Sequence, residues 1–161
     1  VGNGTDITNT TSDQFYYIYQ SITGDGTIIA RVTAMGANGQ QFAKAAVMFR
    51  ESTAAGSSYV RLDTKRASAD GVEVGYRTST NGTAASTNYP GPQPIDWLKI
   101  VRSGNSFTQW SAPDSSGSPG AWTQRGTAKT VTMASTILVG LAVCAHSSGT
   151  MSATFDNVSV S

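Results

Sequence analysis

Short segments in which apolar and polar residues alternate follow one another along almost the whole chain. Helical periodicity is almost absent, since apolar residues recur at every second position or in short runs. Clusters such as Gly24-Asp25-Gly26, Asn81-Gly82 and Ser103-Gly104-Asn105 separate the segments and place Gly, Asn or Asp where a positive φ is needed. This pattern predicts an all-β fold.

Ten segments have strand patterns, and their short connections predict two packed antiparallel sheets in a jelly-roll sandwich. The strands are expected at residues 15–21, 27–34, 44–50, 59–64, 72–78, 96–102, 106–111, 122–131, 137–144 and 151–160. One longer connection, residues 79–94, is expected to be a functional or mobile loop from which Tyr89 reaches outward. The 161 residues suit a single domain without internal repeats, which we expect to be a module excised from a larger protein.

Charged residues are sparse, at 13% of the chain against about 25% in a typical protein. The net charge of +1 gives no basic surface for nucleic acid, and no apolar run is long enough to cross a membrane. Gly, Ser, Thr, Asn and Ala take the place of the charges, a mixture typical of extracellular bacterial β-domains. We therefore expect a secreted protein, with Cys144 as a buried apolar side chain.

The alternation sorts the middle strands into an apolar and a polar face. The apolar face is expected to form the core and contains Ala45, Val47, Phe49, Val60, Leu62, Val72, Val74, Tyr76, Leu98 and Ile100. If these strands are neighbours, the outer face of one sheet gathers Met48, Arg50, Tyr59, Arg61, Asp63, Glu73, Arg77, Trp97 and Lys99. Such a face is either an ordinary solvated surface with ion pairs or a shallow carbohydrate-binding surface.

The chain carries no complete catalytic constellation. A glycosidase needs two suitably spaced carboxyl groups, and only Glu51, Asp63 and Glu73 are placed to share a face. His146, the single histidine, has no nucleophile motif beside it and is expected to be a turn residue. We expect that the chain is not an enzyme, and a lyase or hydrolase that uses His146, Asp63 and Glu73 is the weaker alternative.

Calcium needs only oxygen ligands, so a structural calcium ion is compatible with this composition. Asp156 and Asn157 lie beside the terminal strand, and Asp6 lies near the start of the chain. No cofactor is required by the sequence. Asp156 is therefore either a calcium ligand or a residue that bonds backbone amides.

Several stretches, in this order and spacing, resemble one family of bacterial modules. They are GNGTDI (2–7), SDQFYY (12–17), GDGTIIARV (24–32), AKAAVMFRES (43–52), YR (76–77), WLKIVRSGN (97–105), WTQ (122–124), VGLAV (139–143) and ATFDNV (153–158). The chain resembles concanavalin A-like, laminin-G-like carbohydrate-binding modules of secreted polysaccharide-degrading enzymes, with levan-binding modules among the relatives. The resemblance implies a jelly-roll sandwich and a non-catalytic role beside a catalytic domain.

The resulting hypothesis is a monomeric module that holds a secreted enzyme on a polysaccharide. The residues expected to bind the sugar are Arg50, Glu51, Tyr59, Asp63, Glu73, Arg77, Tyr89, Trp97 and Trp110. Trp110 is either an exposed stacking platform or a core residue packed beside Trp122. The alternative hypothesis is a structural or adhesive module that contacts another protein.

Overall fold

A computed structural model describes residues 1–38, 40–66, 71–91 and 96–161, and within these ranges every regular element is a β-strand. The strands are β1 (Gly2–Gly4), β2 (Tyr16–Thr23), β3 (Gly26–Met35), β4 (Lys44–Arg50), β5 (Tyr59–Lys65), β6 (Val72–Arg77), β7 (Ala85–Tyr89), β8 (Asp96–Ser103), β9 (Ser106–Ser115), β10 (Ser118–Pro119), β11 (Thr123–Gln124), β12 (Lys129–Thr130), β13 (Thr136–Cys144), β14 (Ser147–Met151) and β15 (Ala153–Val160). The described residues include no helix of the length and apolarity that a membrane span requires.

Two antiparallel sheets form the sandwich. The six-stranded sheet has the order β2-β13-β4-β5-β6-β7, and the seven-stranded sheet has the order β10-β9-β8-β3-β15, with β11 and β12 also paired to β9. Early and late strands are neighbours in both sheets, because β13 pairs with β2 and β15 pairs with β3. The all-β jelly-roll sandwich expected from the sequence is therefore confirmed.

The inner faces of the two sheets form the main core. Nine of the ten residues assigned to the core from the alternation pattern are buried in it, and the tenth, Tyr76, is partly buried and packs against it. Phe49 and Phe107 meet across the two sheets, with their ring centroids 5.7 Å apart. Cys144 is buried, as expected, in a second cluster on the outer side of the six-stranded sheet.

The connection expected at residues 79–94 contains a strand. β7 pairs along β6, and Tyr89 packs against the main core instead of reaching outward, so its expected exposure is wrong. The small polar residues of β7 carry little strand signal, because its position at a sheet edge demands little burial. The last residues of this predicted loop (92–94), and the predicted turn residues Gly39 and Asp70, lie outside the described residues.

Residues 5–15, called here the N-terminal segment, cross the outer face of the six-stranded sheet. Ile7 of this segment is fully buried and packs in a cluster with Met48, Tyr59 and Cys144 of the sheet. Every residue of β4 and β5 is consequently buried on both faces. Alternation alone does not predict this, because polar side chains occupy the covered face.

Candidate functional site

The outer face that the sequence predicted to bind sugar is covered. Arg50, Tyr59 and Arg77 are at most 1% exposed, and Asp63 and Glu73 are at most 6% exposed. The alternation pattern correctly places these five residues on one face of the six-stranded sheet. The expectation that this face is open is wrong, because the N-terminal segment packs on it and its Asp13 pairs with Arg50 and Arg77.

Asp13 of the N-terminal segment provides the central contact. Its two carboxylate oxygens accept hydrogen bonds from Nη1 and Nη2 of Arg77, at 2.6 and 2.7 Å. Arg50 Nη1 donates a third hydrogen bond to Asp13, at 2.8 Å. Backbone carbonyls accept the remaining donors, such as Ala54 O from Arg50 and Thr10 O from Arg77. The two guanidinium groups thus share one carboxylate, and both are hydrogen-bonded without a ligand.

A second group of charges lies one row away on the same face. Arg61 donates to the carbonyl oxygen of Ile7, at 2.7 Å, and forms ion pairs with Asp63 and Glu73. Burial would raise the pKa of Glu73, but the positive charges of Arg61 and Lys65 outweigh it and lower the pKa to about 2. Glu73 is therefore an ionised structural carboxylate.

Two other predicted binding residues lie elsewhere. Glu51 accepts a hydrogen bond from the backbone amide of Ala134, at 3.1 Å, and so ties two loops together. Trp97 belongs to the seven-stranded sheet, because β8 pairs with β3 and β9, and its Nε1 donates to Asp114 at 2.8 Å. The prediction that Trp97 shares a face with Arg50 is wrong for this reason.

The residues proposed for calcium or catalysis have other partners. Arg31 holds both carboxylate oxygens of Asp156, and no group of three potential metal-ligating side chains occurs in the described ranges. A structural calcium ion at Asp156 stays a prediction, and the carboxylate that would bind it is engaged by Arg31. His146 has a φ of 54°, as suits a turn, and its Nδ1 lies 3.1 Å from an Asp6 oxygen.

A concave site lies at one edge of the six-stranded sheet, beside β2, and we call it the aromatic cleft. It has a volume of about 300 Å³. Its lining residues are Asp13, Gln14, Phe15, Tyr17, Tyr19, Arg50, Thr53 and Ala55. Arg50 is the one predicted binding residue among them.

Three aromatic rings follow one another along the cleft. The ring centroids of Phe15 and Tyr17 are 5.8 Å apart, and those of Tyr17 and Tyr19 are 5.1 Å apart in a stacked arrangement. Tyr19 is 48% exposed, and Arg50 lies 5.1 Å above the Phe15 ring. At one end of the series the Phe15 ring packs against the buried Arg50, and at the other end the Tyr19 ring is open to solvent.

Tyr17 is held in place by its hydroxyl group. This group donates to the carbonyl oxygen of Met48, at 3.1 Å. Burial raises the pKa of the Tyr17 phenol, so the group stays neutral and keeps donating. The orientation of the Tyr17 ring, against which Tyr19 stacks, is thereby fixed.

The sequence contained a signal for this cleft that went unused. Phe15, Tyr17 and Tyr19 are at positions i, i+2 and i+4, and a strand places such residues on the same face. Residues 15–21 were correctly predicted as a strand, but its faces were not assigned. Which face points to solvent depends on the N-terminal segment and on the pairing of β2 with β13.

Comparisons with known proteins give similarity in structure alone. No family model matches the chain, and no curated protein matches its sequence. A protein of unknown function from Saccharomyces cerevisiae aligns over 99% of this chain and 84% of its own, at 12% identity and a TM-score of 0.72. A xylan β-1,4-xylosidase from Bacillus halodurans aligns over 97% of this chain, at 12% identity and a TM-score of 0.63. The match spans 31% of the xylosidase.

A third structure, a glycoside hydrolase family protein from Mycobacterium thermorestibile, aligns over 92% of this chain and 68% of its own, at 12% identity and a TM-score of 0.52. The expectation that the chain is not an enzyme is contradicted by these comparisons, because two of the proteins with this fold are glycoside hydrolases. The sandwich implied by the resemblance to carbohydrate-binding modules is confirmed. At this identity the comparisons establish the fold and assign no activity.

Proposed function

We propose that the protein binds a carbohydrate in the aromatic cleft. The observation that carries this proposal is the stacked pair of Tyr17 and Tyr19, with Tyr19 48% exposed at the side of a cleft of about 300 Å³. Sugar rings have C–H faces that pack on aromatic rings and hydroxyl edges that form hydrogen bonds. The cleft offers both kinds of partner.

The polar side of the cleft comes from the N-terminal segment and the loop after β4. Gln14 and Thr53 provide an amide and a hydroxyl group at its lining. Such uncharged groups donate and accept hydrogen bonds, which suits the hydroxyl groups of a sugar. Asp13 and Arg50 hold the cleft in shape, because their charges are already paired with each other.

The ligand class proposed is a polysaccharide, and xylan is the first to test, since one of the proteins with this fold is a xylosidase. A site this open removes little surface from water, so we expect a Kd on the order of 10 μM to 1 mM. We further propose that the chain works outside the cell beside a catalytic domain. The match spans 31% of the xylosidase, which supports the proposal that the chain is one part of a larger enzyme.

Affinity electrophoresis and calorimetry against a panel of polysaccharides test the proposal. Tyr19→Ala is expected to weaken binding about tenfold, because it removes the exposed stacking ring. Tyr16→Ala is the matched control, since Tyr16 is also 48% exposed but does not line the cleft. Equal effects of the two substitutions would contradict the cleft, and no binding to any glycan would favour an adhesive module that contacts protein.

A further inference from the structure

A second aromatic site lies on the outer face of the seven-stranded sheet, whereas the aromatic cleft belongs to the six-stranded sheet. Lys99 and Trp110 are directly opposite on β8 and β9, and Trp122 lies two residues before Gln124, the β11 partner of Trp110. The Lys99 ammonium lies 4.1 Å from the ring centroid of Trp122 and 5.2 Å from that of Trp110. We call this group the tryptophan patch.

Lys99 differs from the other cation on this face. Arg31 is neutralised by Asp114 and Asp156, whereas Lys99 has no ion pair and no hydrogen bond among the described residues. The lowered pKa of Lys99, caused by burial, agrees with a charge that is partly removed from water. The indole rings stabilise the cation but contribute no negative charge.

Both indole rings remain partly accessible. Trp110 and Trp122 are half-buried, and the Trp110 Nε1 donates to Thr108 Oγ1 at 3.1 Å, which fixes its ring. The ammonium lies closer to the ring of Trp122 than to that of Trp110. The patch thus combines a fixed aromatic surface with a positive charge that lacks an anion.

We propose that the tryptophan patch binds an acidic sugar, a uronic acid residue of a polysaccharide, with its ring on Trp110 and its carboxylate on Lys99. A pyranose ring presents its C–H face to the indole, and a carboxylate accepts a charge-assisted hydrogen bond from the ammonium. The patch and the aromatic cleft lie on different sheets, so one polysaccharide or two chains of it can be held at two places. Two weak sites joined in this way bind a polymer more tightly than either alone.

The experiment uses polygalacturonate and its fully methyl-esterified form, which has the same rings without the charge. Retardation of the protein in gels that contain each polymer is measured at low and at moderate ionic strength. We expect polygalacturonate to bind the more strongly, and salt to weaken that preference because it screens the ion pair. Lys99→Met keeps an apolar stem over the rings and is expected to lower affinity for polygalacturonate about tenfold.

Three further variants complete the design. Lys99→Arg is expected to restore binding, and Lys129→Gln is the matched control, because Lys129 lies over a single ring, that of Tyr76. Tyr19→Ala distinguishes the contributions of the two sites, because it changes the aromatic cleft alone. It is expected to leave the preference for the acidic polymer intact. The proposal is overturned if Lys99→Met binds polygalacturonate as the unmodified protein does, or if the esterified polymer binds equally well.

Discussion

The guanidinium of Arg77 and the carboxylate of Asp13 form a buried bidentate pair, with N–O distances of 2.6 and 2.7 Å. Arg77 ends β6, whereas Asp13 belongs to the N-terminal segment, 64 positions earlier in the chain. The pair therefore joins the segment to the sheet. It also explains why a face rich in arginine is closed to ligands.

Asp13→Asn is expected to destabilise the fold strongly. Removing one partner of a buried ion pair costs about 3–5 kcal/mol, because the remaining charge is left without compensation. Here two guanidinium groups, those of Arg50 and Arg77, lose their shared carboxylate. Urea unfolding measures the effect. Glu51→Gln is the control, since Glu51 is less buried and accepts one backbone hydrogen bond, and a similar loss in both variants would contradict this role.

Glu73 is expected to make the fold sensitive to acid. Its pKa is about 2 in the folded protein against 4.5 for a free carboxyl group, so the unfolded chain binds the proton first as the pH falls. The stabilisation, about 3 kcal/mol, is present above pH 4.5 and is lost as the pH falls toward 2.

The free energy of unfolding measured from pH 6 to pH 2 tests this expectation. The unmodified protein should lose its advantage over Glu73→Gln across that range. If the difference in the free energy of unfolding between the two proteins does not change with pH, the expectation is contradicted. The ion pairs of Glu73 with Arg61 and Lys65 would then not stabilise its ionised form in the folded protein.

Asp96 is expected to have the opposite pH dependence. Burial raises its pKa to about 7, although the Thr64 hydroxyl and the charge of Arg125 oppose the shift. The folded protein then binds a proton that the unfolded chain has released, so stability falls as the pH rises from 4 to 7. Asp96→Asn should be more stable than the unmodified protein at pH 8, by up to about 4 kcal/mol, and similar to it at pH 4. Thermal unfolding at both pH values checks this, and a constant difference would contradict it.

The sequence predicted the fold well because alternation reports directly on a sheet with one buried face. Nine buried residues of the sandwich core, Val60, Leu62 and Leu98 among them, were identified in this way. The candidate site was predicted less well, because it depends on which segments cover which faces. Nothing local to Arg50 or Arg77 shows that Asp13 will lie on them.

The position of Trp97 illustrates the same limit. Its strand has the same alternation as β4 and β5, but pairing with β3 places it in the other sheet. Strand order is a property of long-range pairing, and the alternation within one strand does not encode it. In retrospect, two acidic residues near the start of the chain, Asp6 and Asp13, were the signal that the basic face had a partner within the chain.

Gly140 is expected to be essential for the aromatic cleft. A Cβ atom at this position would lie 2.0 Å from the carbonyl oxygen of Ile18 and 2.7 Å from the Cα of Tyr19. Gly140→Ala should therefore push β2 away from β13, lower the stability and weaken carbohydrate binding together. Gly149→Ala is the control, because its Cβ would meet only Ser147 Oγ, at 3.5 Å. Unfolding and binding assays on both variants measure this, and unchanged binding by Gly140→Ala would contradict it.

The most direct test of the proposed function is a titration of the ¹⁵N-labelled protein with the best-bound neutral oligosaccharide, followed by backbone amide NMR shifts. The account predicts that the largest shift changes cluster at Gln14, Tyr17, Tyr19 and Thr53, around the aromatic cleft. Tyr19→Ala should reduce them, whereas Tyr16→Ala should not. Changes that cluster on another surface, or no changes with any oligosaccharide of the panel, would contradict carbohydrate binding in this cleft.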